Sequence, residues 1–82
     1  MRRQHASLPV QVEEGTHRPL AVLWQGRFLQ VTGVLDCWQW AGDWVTGVSE
    51  REYWLVSIED GAVLELYRRL DDSAWVVSGM PD

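Results

Sequence analysis

Apolar and polar residues alternate along this chain in short runs separated by turn signals. In "LPVQVEE", Leu8, Val10 and Val12 fall on one side of a period of two, the spacing of a half-buried strand. Pro9 lacks an N–H donor, so this strand is expected at a sheet edge. "LAVLWQG" reads as a second strand, and Gly26 marks a tight turn into a third. In that third run, "RFLQVTGVLDCW", Leu29, Val31, Gly33 and Leu35 share one face, and Phe28, Gln30, Thr32 and Val34 the other. An interior glycine in so long a strand predicts a bend.

The period of two breaks in "QWAGDWVTGVSE", where two glycines, an Asp and a Ser predict a loop or a short irregular helix. It resumes in "REYWLVSIE", with Trp54, Val56 and Ile58 on one face and Tyr53 and Leu55 on the other. Asp60-Gly61 is a hairpin signal. "AVLELYRRL" is the return strand, "DDS" turns again, and "AWVVSG" is the last strand. Leu64, Leu66 and Leu70 approach helical spacing, but the flanking turns and the Val, Trp and Tyr content favour strands. The fold class is therefore all-β: a small curved antiparallel sheet or partly open barrel of about six strands. Residues 8–82 form its single domain, behind a polar, disordered N-terminus over 1–7.

Size adds weight to the aromatic residues. A chain of 82 residues has one marginal core, and six Trp, two Tyr and one Phe supply its bulk. Trp is rarely fully enclosed, so some of the six are expected outside. Three of them crowd into "LDCWQWAGDW". There Leu35 and Trp38 are expected to be buried and to anchor the adjoining loop, leaving Trp40 and Trp44 at its rim.

Charge and cysteine content exclude several classes. The net charge is -5, and all seven basic residues are Arg. Binding to duplex DNA rests on clustered positive charge, so it is expected to be weak. One cysteine allows no internal disulfide and no multi-thiolate zinc site, which fits a reducing cytoplasm. "MRRQHASLPV" has no apolar core of a signal peptide, and no run approaches a membrane span. The expected location is the cytoplasm, without membrane contact.

Candidate chemistry is sparse. His5 and His17 read as solvated loop residues, for no second ligand stands at metal-binding spacing. Cys37 sits beside Asp36, which opposes a thiolate, and reads as a small core or loop residue. The pairs Glu13-Glu14, Glu59-Asp60 and Asp71-Asp72 fall at turns, where carboxylates serve solvation and turn geometry. No phosphate-cradling loop and no nucleophile–base spacing occurs. No catalytic residue, metal or cofactor is expected. An enzyme would need a pocket in which acids such as Asp36 and Glu65 are strongly perturbed. Among the charged strand residues Arg27, Asp36, Arg51, Glu65 and Arg68, cross-strand pairing is expected, with Asp36 facing an Arg.

What remains is an aromatic and arginine set, of which Trp40, Trp44, Arg27, Arg51, Tyr53 and Arg68 are the candidate binding residues. A sheet face of this kind stacks single-stranded bases. An open strand edge instead takes up a protein segment as an added strand. An Arg stripe interleaved with exposed Trp would favour nucleic acid; a long unpaired strand with apolar flanks would favour a peptide or a homodimer.

The pattern W-x-G-R-x-x-x-V-x-x-V-L-D-x-W, from Trp24 and Arg27 to Asp36 and Trp38, is followed by G-x-W at Gly42 and Trp44. Then come E-R-x-Y around Arg51 and Tyr53, G-x-V-x-E-L-Y-R from Gly61 to Arg68, and a closing Trp75. The set resembles a small uncharacterised bacterial family found in actinobacteria and in the Deinococcus–Thermus group. Some of its members are encoded near genes of lesion-bypass DNA polymerases. The resemblance implies a role beside DNA repair. Together these readings give a non-enzymatic binding module, a protein–protein accessory of repair or lesion-bypass synthesis. The alternatives are a single-strand nucleic-acid binder and, last, a small enzyme.

Overall fold

The segment "LPVQVEE" forms two strands, not one, and this closes the fold. β1 (Leu8–Val10) and β2 (Val12–Glu14) are separated only by Gln11. They are followed by β3 (Pro19–Trp24), β4 (Arg27–Trp40), β5 (Arg51–Ile58), β6 (Val63–Arg69) and β7 (Trp75–Gly79). The structure, a computed structural model, describes residues 8–16 and 18–80. The expected disorder of 1–7 and the readings of His5 and His17 lie outside the described residues.

The strands are antiparallel throughout, in the order β1-β7-β6-β5-β4-β3-β2. β1 lies at one end of this order and β2 at the other, yet they adjoin in the chain. One kinked segment therefore links both edges, and the sheet curls into a nearly closed barrel. The Leu23 N–H donates to the Gln11 carbonyl at 2.9 Å across the kink. Seven strands stand where the hydropathy pattern suggests about six, because a change of pairing partner at Gln11 leaves no mark on alternation.

The barrel interior is aliphatic. Val22, Leu29, Val31, Val56, Ile58, Leu64, Leu66 and Val77 are buried there with Trp75, and Trp24 and Trp54 pack against them half-buried. Local chemistry sets the turns. Gln25 and Gly26 both have positive φ, 52° and 90°, the hand of turn that matches strand twist. At the β5–β6 turn the Ile58 N–H donates to the Ala62 carbonyl at 3.0 Å.

β4 departs most from its sequence pattern. The pairing register with β5 shifts between Val31 and Gly33 and again between Val34 and Asp36. Each bulge adds a residue and reverses the faces of the residues beyond it. The inward positions are thus Leu29 and Val31, then Val34, then Cys37 and Gln39. Leu35 falls in the second bulge and is 57% exposed, and Trp38 turns outward, 39% exposed. The expectation that Leu35 and Trp38 are buried anchors is corrected on this ground. The expected bend at Gly33 is present as the first bulge.

The segment expected as a loop from Gln39 onward is an extension of the β4–β5 hairpin. Strand pairing continues through Trp40 opposite Arg51, and Asp43 and Val48 exchange hydrogen bonds of 2.9 Å beyond it. Gly42 makes this return possible: its φ is +85°, and a Cβ there would lie 2.6 Å from the Val48 carbonyl oxygen. Trp40 therefore belongs to a strand, while Trp44 sits at the tip, 90% exposed.

Candidate functional site

The barrel splays between β3 and β4. β3 pairs only with Arg27–Gln30 of β4. Beyond Gln30 the first bulge bends β4 away, and β3 reaches back only to Pro19. Among the described residues no strand flanks the remaining length of β4 on that side. Strand residues turn their amides alternately to the two sides. The Leu70 N–H donates to the Glu50 carbonyl at 3.0 Å, so Glu50 faces β6, and Arg51, Tyr53 and Leu55 face β4. Their partners Trp40, Trp38 and Asp36 spend their amides on β5. Cys37 and Gln39 accordingly turn theirs to the open side. The Cys37 N–H there donates to the Asp36 carboxylate, Oδ1, at 2.9 Å.

Inward of this edge lies the mouth of the barrel, a cavity of about 480 Å³. Cys37 and Gln39 line it on one side and Glu14 and Arg18 across the gap; Trp54 and Trp75 are among its walls. Gln39, Glu52, Arg68 and Trp75 form one cross-strand row. Within it Arg68 pairs with Glu52 at 3.1 Å, and the Trp75 indole N–H donates to Glu14 at 3.0 Å. The polar groups of this row largely satisfy one another. Arg68 is thus inside the mouth, apart from the aromatic residues with which it is grouped as a candidate binding residue.

Outward, a row of rings crosses the sheet: Trp38, Tyr53, Tyr67, then Val76. Trp38 stacks on Tyr53 with centroids 5.2 Å apart and planes within 2°, and Tyr53 meets Tyr67 at 5.3 Å and 46°. In the next row stand Trp40, Arg51 and Arg69. The Arg51 guanidinium carbon lies 5.3 Å from the Trp40 centroid and 4.4 Å from that of Tyr67. Arg51 Nη1 donates to the Tyr53 hydroxyl at 3.1 Å, and among the described residues its buried Nε has no partner. Among the described residues no carboxylate pairs with Arg51, whereas Arg69 is held by Asp72 at 2.9 Å.

Three of the six candidate binding residues, Trp40, Arg51 and Tyr53, therefore meet on one face. Arg27 lies at the other end of β4, beside the Gln25-Gly26 turn, and Trp44 lies at the hairpin tip. Sequence reasoning missed Trp38 and the Cys37–Gln39 edge. The double bulge that exposes them has one hint in the sequence, the glycine inside a long strand.

Asp36 does not face an arginine. It stands opposite Leu55, and its carboxylate takes the Cys37 amide instead. Among the described residues the cross-strand ion pair is Arg68–Glu52. Glu65 accepts from the Ser78 hydroxyl at 2.7 Å. Neither Asp36 nor Glu65 lines the mouth cavity. The Cys37 thiol is exposed. Among the described residues no group of three or more His, Cys, Asp or Glu is placed to hold a metal, and no helix is long and apolar enough to cross a membrane. The Asp72 carboxyl is held below its ordinary value by the Ala74 amide, with Arg69 assisting.

No curated protein and no solved structure matches this chain. A family model does, over residues 3–81, nearly the full length, and the chain belongs to that family, the domain of unknown function DUF6504.

Proposed function

We propose that this domain is a non-enzymatic, cytoplasmic protein-binding module that takes up an extended segment of a partner along the open edge of β4. The observation that carries this reading is the side of β4 at Cys37 and Gln39 that no described strand flanks, with the exposed apolar residues Leu35, Trp38 and Trp40 around it. An unpaired strand edge is a template for another strand, and main-chain hydrogen bonds would supply the affinity. The seven-stranded sheet is otherwise closed through β1 and β2, so the splay of β3 from β4 is where such a strand fits. A role beside repair or lesion-bypass synthesis is supported by the resemblance to members encoded near those polymerases.

One feature favours a second reading, contact with single-stranded nucleic acid. Arg51 is held between Trp40 and Tyr67, without a carboxylate among the described residues, beside the half-exposed Trp38. Bases stack on such rings. Against it, Arg27 and Arg68 do not join the patch, Tyr67 is only 6% exposed, and the net charge is -5.

Substitution at the edge separates the two. The Gln39 N–H faces away from β5, so Gln39→Pro leaves the β4–β5 ladder intact and removes a docking donor. Capture from the native cell, with and without nuclease, is compared for wild type, Gln39→Pro and Arg51→Ala. The strand-docking reading expects a nuclease-resistant partner lost with Gln39→Pro. A partner lost on nuclease treatment and with Arg51→Ala, but kept by Gln39→Pro, would replace it with the second reading.

A further inference from the structure

We infer that the segment taken up along β4 is cationic and carries an aromatic side chain for the barrel mouth, and that Asp36 selects it. The inference rests on the strand-docking reading and specifies its occupant.

The edge itself sets the register. A strand added beside Cys37 and Gln39 would hydrogen-bond to those two residues. Its residues opposite them would point inward, as the Cys37 and Gln39 side chains do. Its residues opposite Asp36, Trp38 and Trp40 would point outward.

The inward position opens on the mouth cavity of about 480 Å³, more than one large side chain fills. Its charges are already engaged: Glu52 with Arg68, and Glu14 with the Trp75 indole. A charged group entering there would lose water and find its counter-charges taken, apart from Arg18 on the rim. The indoles of Trp54 and Trp75 and the Cys37 side chain suit an uncharged ring.

The outward position is set by Asp36. Its carboxylate covers the Cys37 N–H that an added strand needs. An edge closed by its own side chain is protected against indiscriminate pairing. The carboxylate must be drawn off the amide before docking, and a Lys or Arg directly opposite does this while repaying the charge. The net charge of -5 acts in the same direction. An acidic or neutral segment has to displace Asp36 without that compensation.

The test uses the full chain and a blocked heptapeptide, Thr-Lys-Trp-Lys-Trp-Lys-Thr, with affinity read by calorimetry. Three variant peptides carry Glu for every Lys, Ala for both Trp, or N-methyl groups on alternate amides. The expected result is binding of the parent, weakened about tenfold or more by each change. In Asp36→Asn protein the preference for Lys over Glu shrinks towards unity while the thermal midpoint holds. Failure of the parent to bind overturns the inference, as does equal affinity for the Lys and Glu peptides. If the N-methylated peptide alone fails, strand docking stands and only the selection by Asp36 and the cavity falls. If N-methylation has no effect, both fall. A concentration-dependent dimer that excludes the peptide overturns the inference in favour of a second copy as the occupant.

Discussion

The two stretches of β4 are one strand under two sets of neighbours. Arg27–Gln30 pairs with β3, and Val31 follows at the start of the pairing with β5; the residues turned inward there are covered, Leu29 3% exposed and Val31 7%. From Leu35 to Trp40 only β5 is a neighbour among the described residues, and every residue of this stretch is exposed. Composition does not explain the difference, since the second stretch holds the larger apolar side chains. Inward residues stay covered where β4 runs beside β3, and β4 leaves that cover where the bulge at Gly33 bends it away from the start of β3. The exposed stretch is then stabilised by other means. Its Trp38 stacks on Tyr53, and the Arg51 guanidinium bridges Trp40 and Tyr67. These contacts hold a surface in place without enclosing it.

The sharpest break between the two regions is expected in the response of their tryptophans. Trp75, 7% exposed in the core and bonded to Glu14, belongs to the closed part. Trp75→Ala should lower unfolding free energy by about 3–5 kcal/mol, the range for large aromatic truncations in cores. A denaturant titration showing a loss below about 1 kcal/mol would remove the core from that end of the barrel.

The open part depends next on its hairpin tip. Gly42→Ala forces a side chain into positive φ and against the Val48 carbonyl. It should cost about 1–3 kcal/mol and loosen the Asp43–Val48 pairing, visible as faster amide exchange at both residues. Unchanged exchange would mean that the tip forms independently of Gly42.

Smaller effects are expected on the aromatic face. Trp38→Ala removes a stacked but half-exposed ring and should cost about 1–2 kcal/mol, clearly less than Trp75→Ala. Trp44→Ala, at a side chain 90% exposed, should stay within about 0.5 kcal/mol. Equal losses at Trp38 and Trp75 would show that the ladder acts as a second core rather than a surface.

The smallest expected effect is electrostatic. Asp72 accepts from Ala74 and pairs with Arg69, which lowers its folded pKa below the unfolded one. A carboxylate of this kind contributes stability above its unfolded pKa, and the contribution fades as pH falls through the folded value. In an NMR titration Asp72 should protonate at lower pH than an unpaired exposed aspartate. In Asp72→Asn the acid limb of the stability profile should flatten slightly. A titration at the ordinary aspartate position would remove the β6–β7 turn from the pH response.

Much of the architecture is legible from local chemistry. The turns at Gln25-Gly26 and Asp60-Gly61 are marked by glycines that take positive φ, and the turn at Asp71-Ser73 by its polar run. The alternation over β5, β6 and β7 assigns Val56, Ile58, Leu64 and Leu66 to one face without reference to anything distant. The sequence by itself thus determined that the chain is all-β, where most strands turn, and which aliphatic residues make the core of β5 and β6. The tertiary structure alone decided that Leu8–Val10 pairs with β7 while Val12–Glu14 pairs with β3. It also decided that β4 reverses its faces twice, and that Trp38, Cys37 and Gln39 stand at an open edge. The physical reason is range. Turn geometry and alternation are fixed within a few residues, whereas bulges and partner choice answer to the closure of a barrel whose neighbouring strands come from opposite ends of the chain.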